Sequence, residues 1–134
     1  MQEKTTLQTK IRVRYQETDN MGVVYYANYL VWFEIARTEY LRSLGISYKN
    51  LEKRGFYLMV ASAECRYLHP ARYDDEVRIE SHITKMGRTS LTFTYELFIG
   101  NIPIATGRSV HVFTDRSNKP VRIPEEIAGL NPKK

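Results

Sequence analysis

Two carboxylates, Glu17 and Asp19, stand close together in the segment YQETDNMG, residues Tyr15 to Gly22. Thr18, Asp19, Asn20 and Gly22 give that segment the turn chemistry of a loop. Directly after it, from about Ala27, begins a long run of helix formers. The start of a helix carries unpaired N–H groups and the positive end of the helix dipole, a setting suited to a carbonyl oxygen that turns negative during reaction. A carboxylate beside such a site is equipment for acyl transfer. The structural alternative is that Asp19 or Asn20 merely caps a turn, as these residues commonly do in loops. Spacing alone leaves both readings open.

Most other chemistry is excluded by what the chain lacks. There is no G-x-S-x-G elbow, no P-loop, no H-E-x-x-H and no dinucleotide-binding glycine pattern. Cys65 is the single cysteine, so no internal disulfide or zinc-ligand pair exists, and it is expected to fill a small space in the core. His69, His82 and His111 lie in or beside predicted strands and far apart in sequence, and no metal is expected. Lys and Arg number 20 against 15 Asp and Glu, a formal charge of +5 that favours anionic partners. The basic residues are spread out rather than blocked, with Lys133-Lys134 the only terminal cluster. That pattern points to a small phosphorylated ligand and not to nucleic acid. No apolar run approaches the roughly 20 residues needed to span a bilayer. The polar opening MQEKTTLQTK has no secretory signal, so a cytoplasmic protein is expected.

The elements that must position the loop follow from periodicity. With 134 residues the chain is read as one domain over 1–134. Ile11, Val13 and Tyr15 alternate with Arg12 and Arg14, predicting a strand from about Leu7 to Tyr15. A helix is predicted over Ala27 to Leu44, ending at Gly45, with a shorter one over Ser47 to Arg54 capped by Ser47. The first half of the long helix is apolar on nearly every side, so it is expected to be surrounded. Four strands follow: Phe56 to Leu68, Glu76 to Lys85, Thr89 to Ile99 and Ile102 to Thr114, with turns at Met86-Gly87 and Gly100-Asn101. Such long strands must curl, and only the apolar helix can fill their concave face. The predicted class is α+β, a long curved antiparallel five-stranded sheet wrapped around one central helix. From Pro124 to Lys134 a short helical turn and a frayed end are expected.

The segment Tyr15 to Arg37, YQETDNMGVVYYANYLVWFEIAR, closely resembles the signature of the hotdog-fold acyl-CoA thioesterases of the 4-hydroxybenzoyl-CoA thioesterase-like family. Tyr15, Glu17, Thr18, Asp19, Gly22, Val23, Val24, Tyr25, Asn28, Tyr29, Trp32, Phe33, Glu34, Ala36 and Arg37 carry the resemblance. It implies that Asp19 attacks the thioester carbonyl or activates water as general base. It implies also that backbone N–H groups from Val24 and Tyr25 through to Ala27 polarise the thioester oxygen, and that Gly22 lets backbone approach the ligand. Many relatives carry His where this chain has Tyr26. A phenol, titrating at about 10 in model peptides, replaces an imidazole poorly near neutrality, so Tyr26 bears on rate or on the shape of the acyl pocket. Arg88, Thr89 and Ser90 are candidates for contact with pantetheine or nucleotide phosphate.

Other assignments follow from spacing. Glu17 either raises the Asp19 pKa by repulsion or is a solvated loop acid. Glu34 and Arg37, three apart on the helix, are expected to form an ion pair, and Trp32 and Phe33 to be core. The expected function is hydrolysis of a short-chain or aromatic acyl-CoA thioester to carboxylic acid and free CoA, with no cofactor beyond the CoA of the substrate. Alternatives are a hotdog hydratase or dehydratase, and a non-catalytic module binding acyl carrier protein or RNA. The ten tyrosines could stack on bases, but most fall in strand or helix patterns, and core packing is expected to account for them. Long apolar edge strands point to edge-to-edge pairing, and the resemblance implies a homodimer or homotetramer with sites between subunits.

Overall fold

The computed structural model describes residues 6–131. The first five residues, Lys133-Lys134 and most of the expected frayed end therefore lie outside the described residues. Five strands, β1 (Leu7–Arg12), β2 (Tyr57–Tyr67), β3 (Glu76–Met86), β4 (Ser90–Ile99) and β5 (Ile102–Thr114), form one antiparallel sheet in the order β1-β3-β4-β5-β2. The helices are α1 (Asn28–Ser43), α2 (Tyr48–Lys53) and α3 (Glu125–Ala128). Gly100, at φ +60°, and Asn101 make the two-residue turn that pairs Ile99 with Ile102. Gly45, at φ +80°, ends α1 by letting the Ile46 N–H fold back onto the Leu41 carbonyl at 2.9 Å. Ser47 caps α2, its hydroxyl accepting from the Asn50 N–H at 3.3 Å.

The alternation seen in the sequence is the alternation of faces. Val77, Ile79 and Ile83 of β3 and Leu91, Phe93, Tyr95 and Leu97 of β4 are buried against α1 or its surroundings, while Arg78, Glu80 and Thr94 are only half-buried. The helix contributes Tyr29, Trp32, Phe33, Ala36, Tyr40 and Leu41, a stripe at helical spacing. Phe33 stacks flat on Tyr95 with centroids 4.2 Å apart, and its ring occupies the space that a side chain at Gly107 of β5 would need. Each such ring contributes about 2 kcal/mol by burial, so the stripe fixes which face of α1 meets the sheet.

Four expectations about burial and extent need correction. The helix is not surrounded: Leu30 and Val31 are 41% and 48% exposed, because the sheet covers only one side of α1. The tyrosines are mostly not core. Tyr29, Tyr40 and Tyr95 are buried, but Tyr15, Tyr25, Tyr26, Tyr67 and Tyr73 are exposed, several in edge-on or tilted pairs. Cys65 packs against the core but is only half-buried, at its edge and not inside it. The first strand stops at Arg12, and Tyr15–Glu17 curl into a single 3-10 turn because the Glu17 carboxylate caps the Arg14 N–H. β2 pairs only with β5, leaves its other edge open, and carries a register shift between Val60 and Ser62.

Candidate active site

Glu17 organises the loop that sequence reasoning singled out. Its Oε1 accepts the Arg14 N–H at 2.8 Å and its Oε2 accepts the Trp32 indole N–H at 2.9 Å, with the Arg14 guanidinium at 3.5 Å. Its backbone carbonyl accepts the Tyr25 N–H at 2.9 Å and the Asn28 side-chain amide at 2.8 Å. Burial pushes the Glu17 carboxyl up, but these donors outweigh it and hold the pKa below its ordinary value. Glu17 is thus a buried clamp between loop and helix, and not a solvated acid. Sequence reasoning missed this role, although the only tryptophan lying in the next helix was the available signal.

Asp19 sits half-buried just beyond the clamp. Its N–H donates to the Val23 carbonyl at 2.9 Å, its carbonyl accepts the Gly22 N–H at 3.0 Å, and Thr18 bridges to Val24. Gly22 holds φ at +79°, a conformation that L side chains rarely adopt, and its carbonyl accepts from Arg72 at 3.4 Å. Of the Asp19 carboxylate, Oδ1 accepts the Met21 N–H at 2.9 Å. Oδ2 has no protein donor among the described residues. The turn-capping and the chemical readings are therefore compatible: one oxygen makes the turn and the other is left over.

The amides at the start of α1 divide into two sets. Val24 and Tyr25 spend their N–H groups on the carbonyls of Ala71, at 2.8 Å, and Glu17, at 2.9 Å, so the strand-like pairing of this segment removes them as oxyanion donors. Asn28, Tyr29 and Leu30 donate to the carbonyls three residues back. Among the described residues the N–H groups of Tyr26 and Ala27 have no partner. Ala27 is the N-cap of α1, so these two donors sit where the helix dipole favours negative charge. Tyr25 and Tyr26 are both exposed, with centroids 4.7 Å apart. The pairing of the two hydroxyls, with the negative charge of Asp19 nearby, raises the Tyr25 pKa.

Tyr26 opens onto a cavity of about 300 Å³ that Val23, Val24, Tyr67, His69 and Pro70 also line. The Tyr67 hydroxyl donates to the Tyr26 carbonyl at 3.0 Å, and burial, together with Cys65, pushes its pKa up to about 12. Tyr67 was not singled out by sequence reasoning and His69 was weighed only as a metal ligand, since nothing local links them to a loop about forty residues away.

Arg88, Thr89 and Ser90 lie elsewhere. They form the β3–β4 turn, at the opposite end of an eleven-residue strand from Glu76, which pairs with Arg12 just before the Asp19 loop. At about 3.3 Å per residue that separation exceeds 30 Å, so one chain does not bring these residues to Asp19. The turn's carbonyls are taken by the N–H groups of Ile123, Phe113 and Gly87. The expected Glu34–Arg37 pair does not form either. Arg37 instead donates to the Tyr95 hydroxyl at 3.2 Å, at the head of a buried chain in which Tyr95 and His111 both bond the Ser109 hydroxyl, at 2.6 and 2.7 Å.

Comparison with known proteins adds to this geometry. A family model described as the thioesterase-like superfamily matches residues 13–129. The acyl-CoA thioester hydrolase YbgC of Escherichia coli O157:H7 is 40% identical over 93 residues, 69% of each chain. The acyl-CoA thioesterase YbgC of Haemophilus influenzae is 32% identical over 119 residues, 87% of this chain and 88% of its own. Among solved structures, the DHNA-CoA thioesterase from Staphylococcus aureus superposes with a TM-score of 0.85 at 34% identity, covering 87% of this chain and 80% of that one.

Proposed function

Since the chain belongs to the thioesterase-like superfamily and has the hotdog fold, we propose that it hydrolyses a short-chain or aromatic acyl-CoA thioester to carboxylic acid and free CoA. The observation that carries this reading is local: a carboxylate with one uncommitted oxygen, Asp19 Oδ2, precedes two unpaired amides, Tyr26 and Ala27, at the start of α1.

The thioester carbonyl oxygen accepts from the Tyr26 and Ala27 N–H groups, and the charge that develops on it is stabilised by donors already in place. Asp19 Oδ2 then either attacks the carbonyl carbon or takes a proton from the attacking water. Oδ1 stays on the Met21 N–H in both routes, which keeps the carboxylate from turning away. Tyr26 supplies the wall of the cavity and a hydroxyl paired with Tyr25. Coenzyme A takes part only as the thiol of the substrate, and an acyl carrier protein is the alternative donor.

The position of Arg88, Thr89 and Ser90 bears on assembly. They can meet the nucleotide phosphates of a substrate held at Asp19 only if another copy supplies them, so a homodimer paired along β2, or a homotetramer of such dimers, is part of the proposal. Among the described residues no helix is long and apolar enough to cross a membrane, and the proposed setting is cytoplasmic.

The test is free-thiol release from a panel of short aliphatic, long aliphatic and aromatic acyl-CoAs, with Asp19→Asn beside the wild type. The expected result is cleavage of a subset by the wild type and a loss of roughly 10²-fold or more in kcat for the variant, the scale of a lost general base. Turnover at the wild-type rate by Asp19→Asn would remove Asp19 from the mechanism.

A further inference from the structure

Thioester cleavage must place a proton on a departing sulfur as well as activate an attacking group. Asp19 is on the side of attack. The cavity beside it offers hydrocarbon, phenols and one imidazole, that of His69. The other two histidines lie in the sheet, where His82 bonds Thr94 and His111 is buried.

His69 is held more firmly than its exposure suggests. Its Nδ1 lies 2.9 Å from the Pro70 carbonyl, an atom that can only accept, so Nδ1 carries a proton and Nε2 is the nitrogen left for exchange. Its N–H shares the Ile104 carbonyl with that of Leu68, at 3.2 and 2.9 Å. Two residues on, the Ala71 carbonyl takes the Val24 N–H at 2.8 Å, which ties the His69 segment to the opposite wall of the cavity. Val23 in that wall accepts from the Asp19 N–H, and Tyr26, whose own N–H is one of the two free donors, lines the same space. Tyr26, which carries an oxyanion donor, and the His69 imidazole thus line one cavity, and Val23 in its wall holds the backbone of the attacking residue.

Resting on the thioester-hydrolysis reading, we propose that His69 is a further catalytic residue that protonates the leaving thiolate from Nε2. As the tetrahedral species collapses, the C–S bond breaks and its electron pair goes to sulfur. The proton on Nε2 moves to that sulfur and leaves a neutral imidazole, still anchored to Pro70 through Nδ1–H. Of the two protons the attacking water supplies, the one that reaches Asp19 passes on and restores the imidazolium, and the other leaves as the product acid ionises, so each turnover balances whichever role Asp19 plays.

The experiment compares matched truncated thioesters of one acyl group: an N-acetylcysteamine thioester, whose alkylthiolate leaves poorly unprotonated, and an S-phenyl ester, whose arylthiolate is a weak base. His69→Asn keeps an amide donor for the Pro70 carbonyl, and His69→Gln keeps a polar group near Nε2, but neither can pass a proton. Both variants are expected to lose roughly 10²-fold in kcat on the alkyl thioester, with KM little changed, and to turn over the S-phenyl ester within about twofold of wild type. An equal loss on both esters, or no loss on either, overturns the proposal. Asp19→Asn is expected to lose both esters. If it retains them, the Asp19 reading fails while the leaving-group comparison still stands. A wild type that cleaves neither ester nor any acyl-CoA overturns both readings.

Discussion

Replacing Glu17 by Gln preserves shape while removing the charge and one acceptor from a buried position. In the native loop both oxygens are used, Oε1 by the Arg14 N–H and Oε2 by the Trp32 indole. An amide has one oxygen, so in either orientation one of these donors faces an NH₂ group. A hydrogen bond to a charged partner is worth about 1.5–3 kcal/mol when lost, and the contact with the exposed Arg14 guanidinium adds little. The expected cost is therefore about 2–3 kcal/mol, a large part of a total of about 5–15. For a chain of this size that lowers Tm by about 6–12 °C. Trp32 is the only tryptophan, so its fluorescence in urea reads the clamp directly. At fixed protein concentration the midpoint should fall with the slope unchanged. Circular dichroism on Glu17→Gln, Trp32→Phe and the double variant should give a coupling of about 1 kcal/mol or more. A wild-type midpoint for Glu17→Gln, or strict additivity in the cycle, would refute the clamp.

Two further predictions concern the core. Gly107→Ala places a Cβ 2.2 Å from Phe33 Cζ, and overpacking there should cost about 1–3 kcal/mol in a melt, partly recovered by Phe33→Leu. Burial, with a smaller push from the Arg37 charge, lowers the His111 pKa to about 3, so the unfolded chain takes up a proton that the folded chain refuses as pH falls from about 6.5 toward 3. Stability from this group is full above about pH 6.5 and falls on acidification by up to about 1.4 kcal/mol per pH unit. His111→Gln should lose that part of the slope in denaturation midpoints measured from pH 7 to 4.

The readable features of the chain were those with a local cause. Alternation in β3 and β4, the Gly100-Asn101 turn, the Ser47 cap and the Gly45 stop each depend on a few neighbouring residues, and each reappears in the fold. The turn that Asp19 and Gly22 make was legible for the same reason. Contacts between distant elements were not. An i,i+3 rule gives Arg37 a partner in Glu34, but the fold offers a buried hydroxyl from Tyr95, fifty-eight residues on. Glu17 reads as a loop acid until Trp32 is folded onto it. Apolar type also says nothing about which side of a helix is covered, so Leu30 and Val31 were placed in a core that reaches only one face of α1. The distance of Arg88 from Asp19 within one chain is different. The length of β3 already put the next turn far from its first residue.

Three features that single-chain packing leaves unexplained have one common account. Leu30 and Val31 stand exposed on α1, Met59 and Val60 stand exposed on β2 beside an unpaired sheet edge, and Arg88 lies at the wrong end of its own chain for the Asp19 site. An open apolar edge invites pairing, and antiparallel pairing of β2 with its copy reverses the sheet direction. The reversal brings the far end of one chain toward the near end of the other. The same step that would cover the apolar residues would thus carry a second chain's distal surface toward the Asp19 loop and the cavity that Tyr26 and His69 line. Assembly and completion of the site are then one proposal, and neither part is required by the chemistry at Asp19 itself.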